Sequence, residues 1–256
     1  MRKSSTFLVV LSTLLAIGVS CGDDSDSATQ AAAGDVTVFA AASLTAAFTE
    51  LGDAFMAENP DTHLVFNFAA SSELVTQIDE GAAADVYASA DLTNMTRLTD
   101  AGNNAGEPIV FATNRLSIIV APGNPKAITG VADLSNDHLI VVTCAIEVPC
   151  GKYAVQIFEN AGVTVSPKSL EENVKAVVSK VVLGEADAGI VYETDVKAAG
   201  DDAAGVKVPA DINVLASYPI VVTKEAGNPA GAQAFIDFVI SPHGLQILAS
   251  YGFLAP

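Results

Sequence analysis

The chain has 256 residues, of which 50% are hydrophobic and 16% are charged, and its formal net charge is −18. A chain of this size and composition is long enough for one large domain or two lobes with real cores, and it is not disordered. The acidic balance argues against nucleic acid as a partner, because neutralising phosphates requires clustered lysine and arginine.

The first twenty residues follow the plan of a secretory signal. Arg2 and Lys3 precede an apolar run from Phe7 to Val19, and this run is too short to be assigned as a membrane span. We therefore expect residues 1–20 to be a signal peptide and the chain to be exported.

Cys21 follows shortly after the apolar run, and the polar composition of residues 21–34 predicts a flexible tether. A cysteine in this place resembles the lipobox of bacterial lipoproteins, although Gly18 stands where that pattern usually has leucine. The sequence predicts lipidation of Cys21 and anchoring to the extracytoplasmic face of the cell membrane. The alternative is a secreted protein in which Cys21 has no such role.

The two remaining cysteines are Cys144 and Cys150, in TCAIEVPCG. In an oxidising compartment, a pair at this separation favours a disulfide over two free thiols. The spacing is not CxxC, so neither redox catalysis nor a zinc ribbon is indicated.

From Asp35 onward, apolar strand-like runs alternate with helical periods, which predicts an α/β fold with mixed, mostly parallel sheets. The strand-like runs lie at 36–40, 63–69, 85–90, 115–122, 139–145, 188–195 and 212–224. The helical periods lie near 43–57, 72–80, 91–101, 150–160 and 173–185, and in the C-terminal tail. We expect two lobes joined by two crossover segments: residues 35–114 with 223–256, and residues 115–222. The cleft between lobes is then the default ligand site.

Strand-to-helix corners are candidate binding positions, because a helix N-terminus offers N–H groups without partners and a partial positive charge. Ser43 stands between VTVFAAA and LTAAFTELGDAF, in the predicted N-cap position, and Ser71 and Ser72 stand at the next such corner. One serine alone is most simply explained as a structural cap. Two adjacent hydroxyls at a second corner weaken that explanation.

Three further neutral donors follow the same pattern. They are the amide of Cys150 in VPCGKY, the amide of Val174 after the predicted cap Asn173, and the phenol of Tyr192 at the end of AGIVY. Tyrosine at a strand end is also commonly a half-buried packing residue. Donors without formal charge suit a small oxyanion that carries no exchangeable proton.

Five segments carry a family resemblance: VTVFAAASLT, FAASSELVTQI, GAAADVYASAD, NVKAVVSKVVLGEADAGIVY and the closing YGF. Together, from about Asp35 to Phe253, they resemble the molybdate-binding proteins of bacterial ABC transporters. The resemblance implies a type II periplasmic-binding-protein fold that closes on a tetrahedral oxyanion. It also implies capture of molybdate, and of tungstate, for delivery to a membrane permease by a monomer that needs no cofactor and ligates no metal directly.

The resemblance also implies the ligand set, which is Ser43, Ser71, Cys150, Val174 and Tyr192. The position of Cys150 is usually alanine in a P-A-G stretch, but a backbone donor survives that change. A dianion without hydrogen is best matched by donors alone, so we expect the acidic residues to lie mainly away from the cleft.

Two alternatives remain open. The ligand can be another tetrahedral oxyanion, such as sulfate or phosphate, since sequence does not measure cavity size. The same scaffold can also carry an enzyme that uses Tyr192 or a reduced Cys150, which would require a base with a perturbed pKa in the cleft. The histidines His63, His138 and His243 show no spacing typical of a metal site and are interpreted as surface residues.

Overall fold

The structure is a computed structural model and describes residues 33–256. The predicted signal peptide, Cys21 and most of the predicted tether lie outside the described residues. The strands are β1 (Gly34–Ala41), β2 (Thr62–Ala69), β3 (Val86–Ala88), β4 (Asn104–Val120), β5 (Val141–Cys144), β6 (Ser169–Glu171), β7 (Ala188–Tyr192), β8 (Ala204–Lys207) and β9 (Leu215–Thr223). The helices are α1 (Thr45–Glu58), α2 (Ser71–Asp79), α3 (Leu92–Asp100), α4 (Pro149–Asn160), α5 (Val174–Val182), α6 (Glu193–Ala199), α7 (Pro229–Val239) and α8 (Pro242–Ser250).

The strands form two half-sheets that meet along β4. The overall strand order is β2-β1-β3-β9-β4-β7-β5-β6, with β8 also paired to β4. Parallel pairing joins β1 to β2 and β3, and it joins β5 to β6 and β7. All pairings of β4 and β9 are antiparallel. The sheet is therefore mixed, as predicted, but it is not mostly parallel, because four of the eight strand pairings in the described residues are antiparallel.

β4 is the longest strand and passes from one half-sheet to the other. Residues 104–115 pair with β9, whereas residues 116–120 pair with β7. β9 pairs with β3 and β4 over its whole length, so residues 215–222, which the sequence assigned to the second lobe, lie beside strands of the first half-sheet. The exact lobe limits stay a prediction.

Helical periodicity explains how the first half-sheet is covered. α1 directs Ala47, Phe48, Leu51 and Phe55 inward, at spacings that lie on one helical face. Phe48 and Phe55 both meet the ring of Phe235 from α7 edge to face, with centroids 5.9 and 5.5 Å apart. Burying a side chain of this size stabilises the fold by roughly 1.5–3 kcal/mol, so this layer holds the half-sheet as a stable platform.

Several boundaries differ from the sequence predictions. The strand predicted to begin at residue 115 begins at Asn104, because its first part carries polar residues and a register shift between Ala105 and Ile109 that disrupt the apolar alternation. β6, β8 and α6 were not predicted, since three- to seven-residue elements are shorter than the windows that reveal periodicity. No helix in residues 33–256 combines the length and apolarity needed to cross a membrane.

Candidate ligand-binding site

The C-terminal ends of the parallel strands in both half-sheets face one small cavity of about 10 Å³. The topology explains this convergence, since parallel strands in each half end at the same edge. All five residues predicted to bind the ligand line it. The full lining is Ala41, Ala42, Ser43, Ala70, Ser71, Ala90, Val148, Pro149, Cys150, Asn173, Val174 and Tyr192.

Ser43 lies after β1, in a 3-10 turn spanning Ala42–Leu44. The expectation that it is the N-cap of α1 is wrong, because this extra turn delays the helix and makes Leu44 the cap residue, without a side-chain cap bond. The Oγ of Ser43 instead lies 3.1 Å from the Oη of Tyr218 on β9. The hydroxyl is therefore not used to hold the helix start.

Ser71 is the first residue of α2, after Ala70 as N-cap. The register of β1 and β2 pairs Ala41 with Ala69, so Ser43 and Ser71 occupy equivalent positions two residues beyond the paired strand ends. The Oγ of Ser71 accepts a hydrogen bond of 2.9 Å from the amide of Ala90. That bond occupies an acceptor position and leaves the hydroxyl proton of Ser71 for another partner.

α4 brings the amide of Cys150 to the cavity. Pro149 occupies its first position, where no backbone N–H is needed, and the amide of Gly151 bonds to the carbonyl of Val148. No acceptor for the Cys150 amide occurs among the described residues. The Cα atoms of Cys144 and Cys150 are 5.8 Å apart and their sulfur atoms are within bonding distance, which ties the helix start to the end of β5.

α5 presents the amide of Val174 in the same way. Asn173 is the N-cap, as predicted, and its side chain accepts a hydrogen bond of 3.1 Å from the amide of Ala176. This cap satisfies the third amide of the helix. The amide of Val174 has no acceptor in the described part of the chain.

Tyr192 ends β7 and is 1% exposed. Its hydroxyl is buried and has no hydrogen-bond partner among the described residues. Burial raises the pKa of the phenol well above its usual value, and the neighbouring groups of Tyr218, Tyr153, Asp91 and Asp195 raise it further. The phenol is therefore a neutral donor that lacks an acceptor within the protein, which packing alone does not explain.

No charged side chain is among the residues that line the cavity. The nearest acids are engaged elsewhere: Asp91 accepts from the amide and side chain of Asn94, and Asp195 forms a 2.8 Å ion pair with Lys175. Burial raises the pKa of Asp195, and Lys175 opposes that rise. The lining itself offers hydroxyls, amides and methyl groups only.

Two hydrogen bonds join the half-sheets close to the cavity-lining residues Ala90 and Cys150. The hydroxyl of Tyr153 on α4 donates to the carbonyl oxygen of Ala90 at 3.3 Å, and the ammonium of Lys152 donates to the hydroxyl of Thr93 on α3. Ala90 thus contacts Tyr153 of the second half-sheet through its carbonyl and Ser71 through its amide.

Sequence reasoning missed Tyr153 and Tyr218. Tyr218 lies inside a strand and Tyr153 inside a helix, where an aromatic residue is expected to pack, and neither position is a corner. The three histidines are exposed, as predicted. Within residues 33–256, no group of three or more His, Cys, Asp or Glu residues is placed to hold a metal ion.

The chain resembles known proteins along almost its whole length. Residues 36–254 match the family described as bacterial extracellular solute-binding protein. The molybdate-binding protein ModA of Mycobacterium tuberculosis strain H37Rv is 42% identical over 252 residues, which cover 96% of this chain and 97% of the relative.

Two solved structures share the fold. The periplasmic molybdate-binding protein of Azotobacter vinelandii superposes with a TM-score of 0.74 at 20% identity, covering 86% of this chain and 99% of its own. The sulfate-binding protein SubI of Mycobacterium tuberculosis H37Rv superposes with a TM-score of 0.75 at 19% identity, covering 86% of each chain. These matches confirm the predicted two-lobed periplasmic-binding-protein fold. The chain belongs to the bacterial extracellular solute-binding proteins, in the family that includes ModA.

Proposed function

We propose that this protein captures molybdate outside the cytoplasm and delivers it to the permease of an ABC transporter. The observation that carries the proposal is the cavity lining, which combines two serine hydroxyls, a buried tyrosine hydroxyl without a protein partner and amides at helix N-termini, with no charged side chain. The 42% identical relative bears the name of a molybdate-binding protein.

The donor set matches a fully ionised tetrahedral oxyanion. Each oxygen of such an ion accepts hydrogen bonds and has no proton to give, so every contact needs a donor. The hydroxyls of Ser43, Ser71 and Tyr192 and the amides of Cys150 and Val174 supply them. Hydrogen bonds to a charged group stabilise by about 1.5–3 kcal/mol each. Five such bonds offset the cost of immobilising a small ligand.

We propose binding without catalysis. An enzyme on this scaffold would need a base at the cavity, and the lining residues include no carboxylate, histidine or lysine. The second cysteine at the site, Cys144, lies within bonding distance of Cys150, so neither sulfur is offered as a nucleophile.

Calorimetry on the mature chain tests the ligand. We expect tight binding of molybdate, comparable binding of tungstate and much weaker binding of sulfate and phosphate. Tungstate is included because it is a dianion of the same shape. Tight sulfate binding with weak molybdate binding would replace the proposed ligand by sulfate, to which the shared fold with SubI is equally suited.

We further propose that the exported protein is a monomer held at the membrane by a lipid on Cys21. The support is the sequence pattern at residues 1–21 and the membership of an extracellular solute-binding family. Cys21→Ser should move the protein from the membrane fraction to the soluble fraction. Retention of that variant in membranes would reject the anchor, and a mass of two chains in light scattering would reject the monomer.

We propose that Cys144 and Cys150 form a disulfide in the exported protein. The Cα separation of 5.8 Å lies in the range that disulfides occupy. Intact-mass measurement after alkylation, without and with reductant, counts the thiols. Labelling of these two residues before reduction would contradict the bond.

A further inference from the structure

Tyr218 contacts Ser43 but does not itself line the cavity. Its ring is fully buried and meets the rings of Phe111, Tyr192 and Phe253 edge to face. Its hydroxyl is 3.1 Å from the Oγ of Ser43, and either oxygen can be the donor in that hydrogen bond. Tyr218 does not line the cavity, and its hydroxyl reaches the lining through Ser43.

The direction of this hydrogen bond determines whether Ser43 can donate to an anion. Each hydroxyl has a single proton. If Ser43 donates its proton to Tyr218, it presents only lone pairs to an anion and repels it. If Tyr218 donates to Ser43, the proton of Ser43 is free to point at the anion. We infer that Tyr218 is a positioning residue whose hydroxyl holds Ser43 as a donor, an inference that rests on the proposed function.

The phenol of Tyr218 keeps a proton that it can donate. Burial raises its pKa, while hydrogen bonds with Ser43 and with Asn114 on β4 act in the opposite sense. The amide nitrogen of Asn114 also donates 2.8 Å to the hydroxyl of Thr194 on α6. The polar side chains of Asn114, Tyr218 and Ser43 thus lie in sequence between β4, which joins the half-sheets, and the cavity.

Ser71 shows the same arrangement with a fixed partner. Its Oγ accepts from the amide of Ala90, which cannot reverse direction because a backbone N–H only donates. In this arrangement each serine hydroxyl accepts a hydrogen bond from the protein, Ser43 from the hydroxyl of Tyr218 and Ser71 from the amide of Ala90. The difference is that the partner of Ser43 is a side chain, so substitution can remove it without breaking the backbone.

The arrangement has a consequence for specificity. A protonated oxyanion, such as hydrogen phosphate, needs an acceptor for its own proton. When both serines are held as donors, each points its own proton at the ligand, so a proton on the ligand meets a donor at these two positions. Without the hydroxyl of Tyr218, the side chain of Ser43 can turn its lone pairs to the ligand. Tyr218 therefore contributes to discrimination against protonated oxyanions as well as to affinity.

The test is a double-mutant cycle read by calorimetry with molybdate and with hydrogen phosphate. Tyr218→Phe should weaken molybdate binding about tenfold and weaken phosphate binding less, which lowers the molybdate-to-phosphate ratio. In a Ser43→Ala background, adding Tyr218→Phe should change molybdate affinity by less than about twofold, because the group through which Tyr218 acts is absent. Tyr251→Phe, at a partly buried tyrosine that donates to Glu50 and does not line the cavity, is the matched control and should leave both affinities unchanged.

Two outcomes would overturn the inference while leaving the proposed function intact. One is molybdate binding by Tyr218→Phe at the wild-type affinity and ratio. The other is an equal loss in the wild-type and Ser43→Ala backgrounds, which indicates a general structural effect. Failure of the wild-type protein to bind molybdate would instead reject the proposed function, and this inference with it.

A measurement on the wild-type protein covers the case in which Tyr218→Phe does not fold. With carbon-13 at the ζ position of the five tyrosines, molybdate should shift the Tyr218 signal in the wild-type protein but not in Ser43→Ala. The absence of a wild-type shift at saturating molybdate would overturn the inference.

Discussion

Tyr192 has opposite effects on folding and on binding. A buried hydroxyl without a hydrogen-bond partner costs about 1–3 kcal/mol relative to one that is satisfied. The ring of Tyr192 gains contacts with Tyr153 and Tyr218, at centroid distances of 6.5 and 5.9 Å, but its hydroxyl gains nothing from the described protein atoms. An oxyanion that accepts this hydrogen bond removes the cost. We therefore expect part of the binding free energy to come from satisfying a hydroxyl that lacks a partner in the ligand-free protein.

Tyr192→Phe should therefore separate stability from affinity. We expect the ligand-free variant to be more stable than the wild type by about 1 kcal/mol, because the unsatisfied hydroxyl is removed while the ring is kept. Molybdate affinity should fall by about tenfold to a hundredfold. Urea unfolding and calorimetry measure the two quantities. A variant that loses stability and keeps its affinity would place the hydroxyl in a structural role.

Part of the candidate site could be predicted, namely the residues that stand out from the sequence pattern immediately around them. Ser43, Ser71 and Val174 stand at changes from strand to helical pattern, and this contrast is visible along the chain. Tyr218 was not predictable, because its partner Ser43 lies 175 residues away and nothing in either segment encodes that contact. The cap role expected for Ser43 was wrong for a related reason, since a single 3-10 turn shifts the helix start without changing the hydrophobic period.

At the scale of elements, the start of α4 depends on the absence of a side chain at Gly151. A Cβ atom at this position would overlap the carbonyl oxygens of Cys144 and Ala145. Glycine therefore lets the helix start close against the end of β5, and this closeness brings Cys150 within bonding distance of Cys144. The sequence PCG thus encodes both the proximity of the two elements and the position of one amide at the cavity.

Gly151→Ala should push the N-terminus of α4 away from β5. Overpacking of this kind costs about 1–3 kcal/mol, so the midpoint of thermal unfolding should fall, and molybdate affinity should fall at least tenfold because the Cys150 amide moves. The matched control is Gly130→Ala, since a methyl group there meets no atom within 4 Å. Equal stability and affinity of both variants would contradict this account of α4.

The hydrogen bonds between the half-sheets predict an effect on ligand release. Lys152 and Thr93 join α4 to α3, which belong to different half-sheets. An exposed contact of this kind contributes about 0–1 kcal/mol. Lys152→Ala should therefore raise the molybdate dissociation rate about twofold to fivefold and leave the association rate nearly unchanged. Stopped-flow competition measures both rates. Lys168→Ala, at an exposed lysine that does not line the cavity, is the control, and an equal effect there would reject the contact as the cause.

Element types were more predictable than element boundaries. Most of the long strands and amphipathic helices follow clear periods, and the two-lobed arrangement follows from their alternation. The extent of β4 was underestimated because its polar first part lies against β9, a partner distant in sequence. Pairing between distant strands supplies stability that local propensity does not report.

At the scale of the whole molecule, burial of tyrosine connects the site to global stability. Tyr153, Tyr192 and Tyr218 pack in contact at the junction of the half-sheets, and Tyr87 is buried in the first half-sheet. Burial is the largest cause of the raised pKa of each of these four phenols. The junction is therefore built from rings whose hydroxyls remain neutral while the protein is folded.

This arrangement predicts alkaline instability with a defined slope. Above about pH 10 the unfolded chain loses tyrosine protons that the folded protein keeps, so the folded state binds more protons and the free energy of unfolding falls as the pH rises. Each buried tyrosine lowers the free energy of unfolding by up to about 1.4 kcal/mol per pH unit above pH 10, and its stabilising contribution is fully present only below pH 10.

Urea unfolding at several pH values from 8 to 11 measures the slope, and absorbance at 295 nm follows tyrosine ionisation without interference, because the chain has no tryptophan. Tyr192→Phe removes one of these groups and should make the slope shallower by one tyrosine, while lysine ionisation affects both proteins alike. Equal slopes for the wild type and the variant would show that Tyr192 ionises as easily in the folded protein as in the unfolded chain.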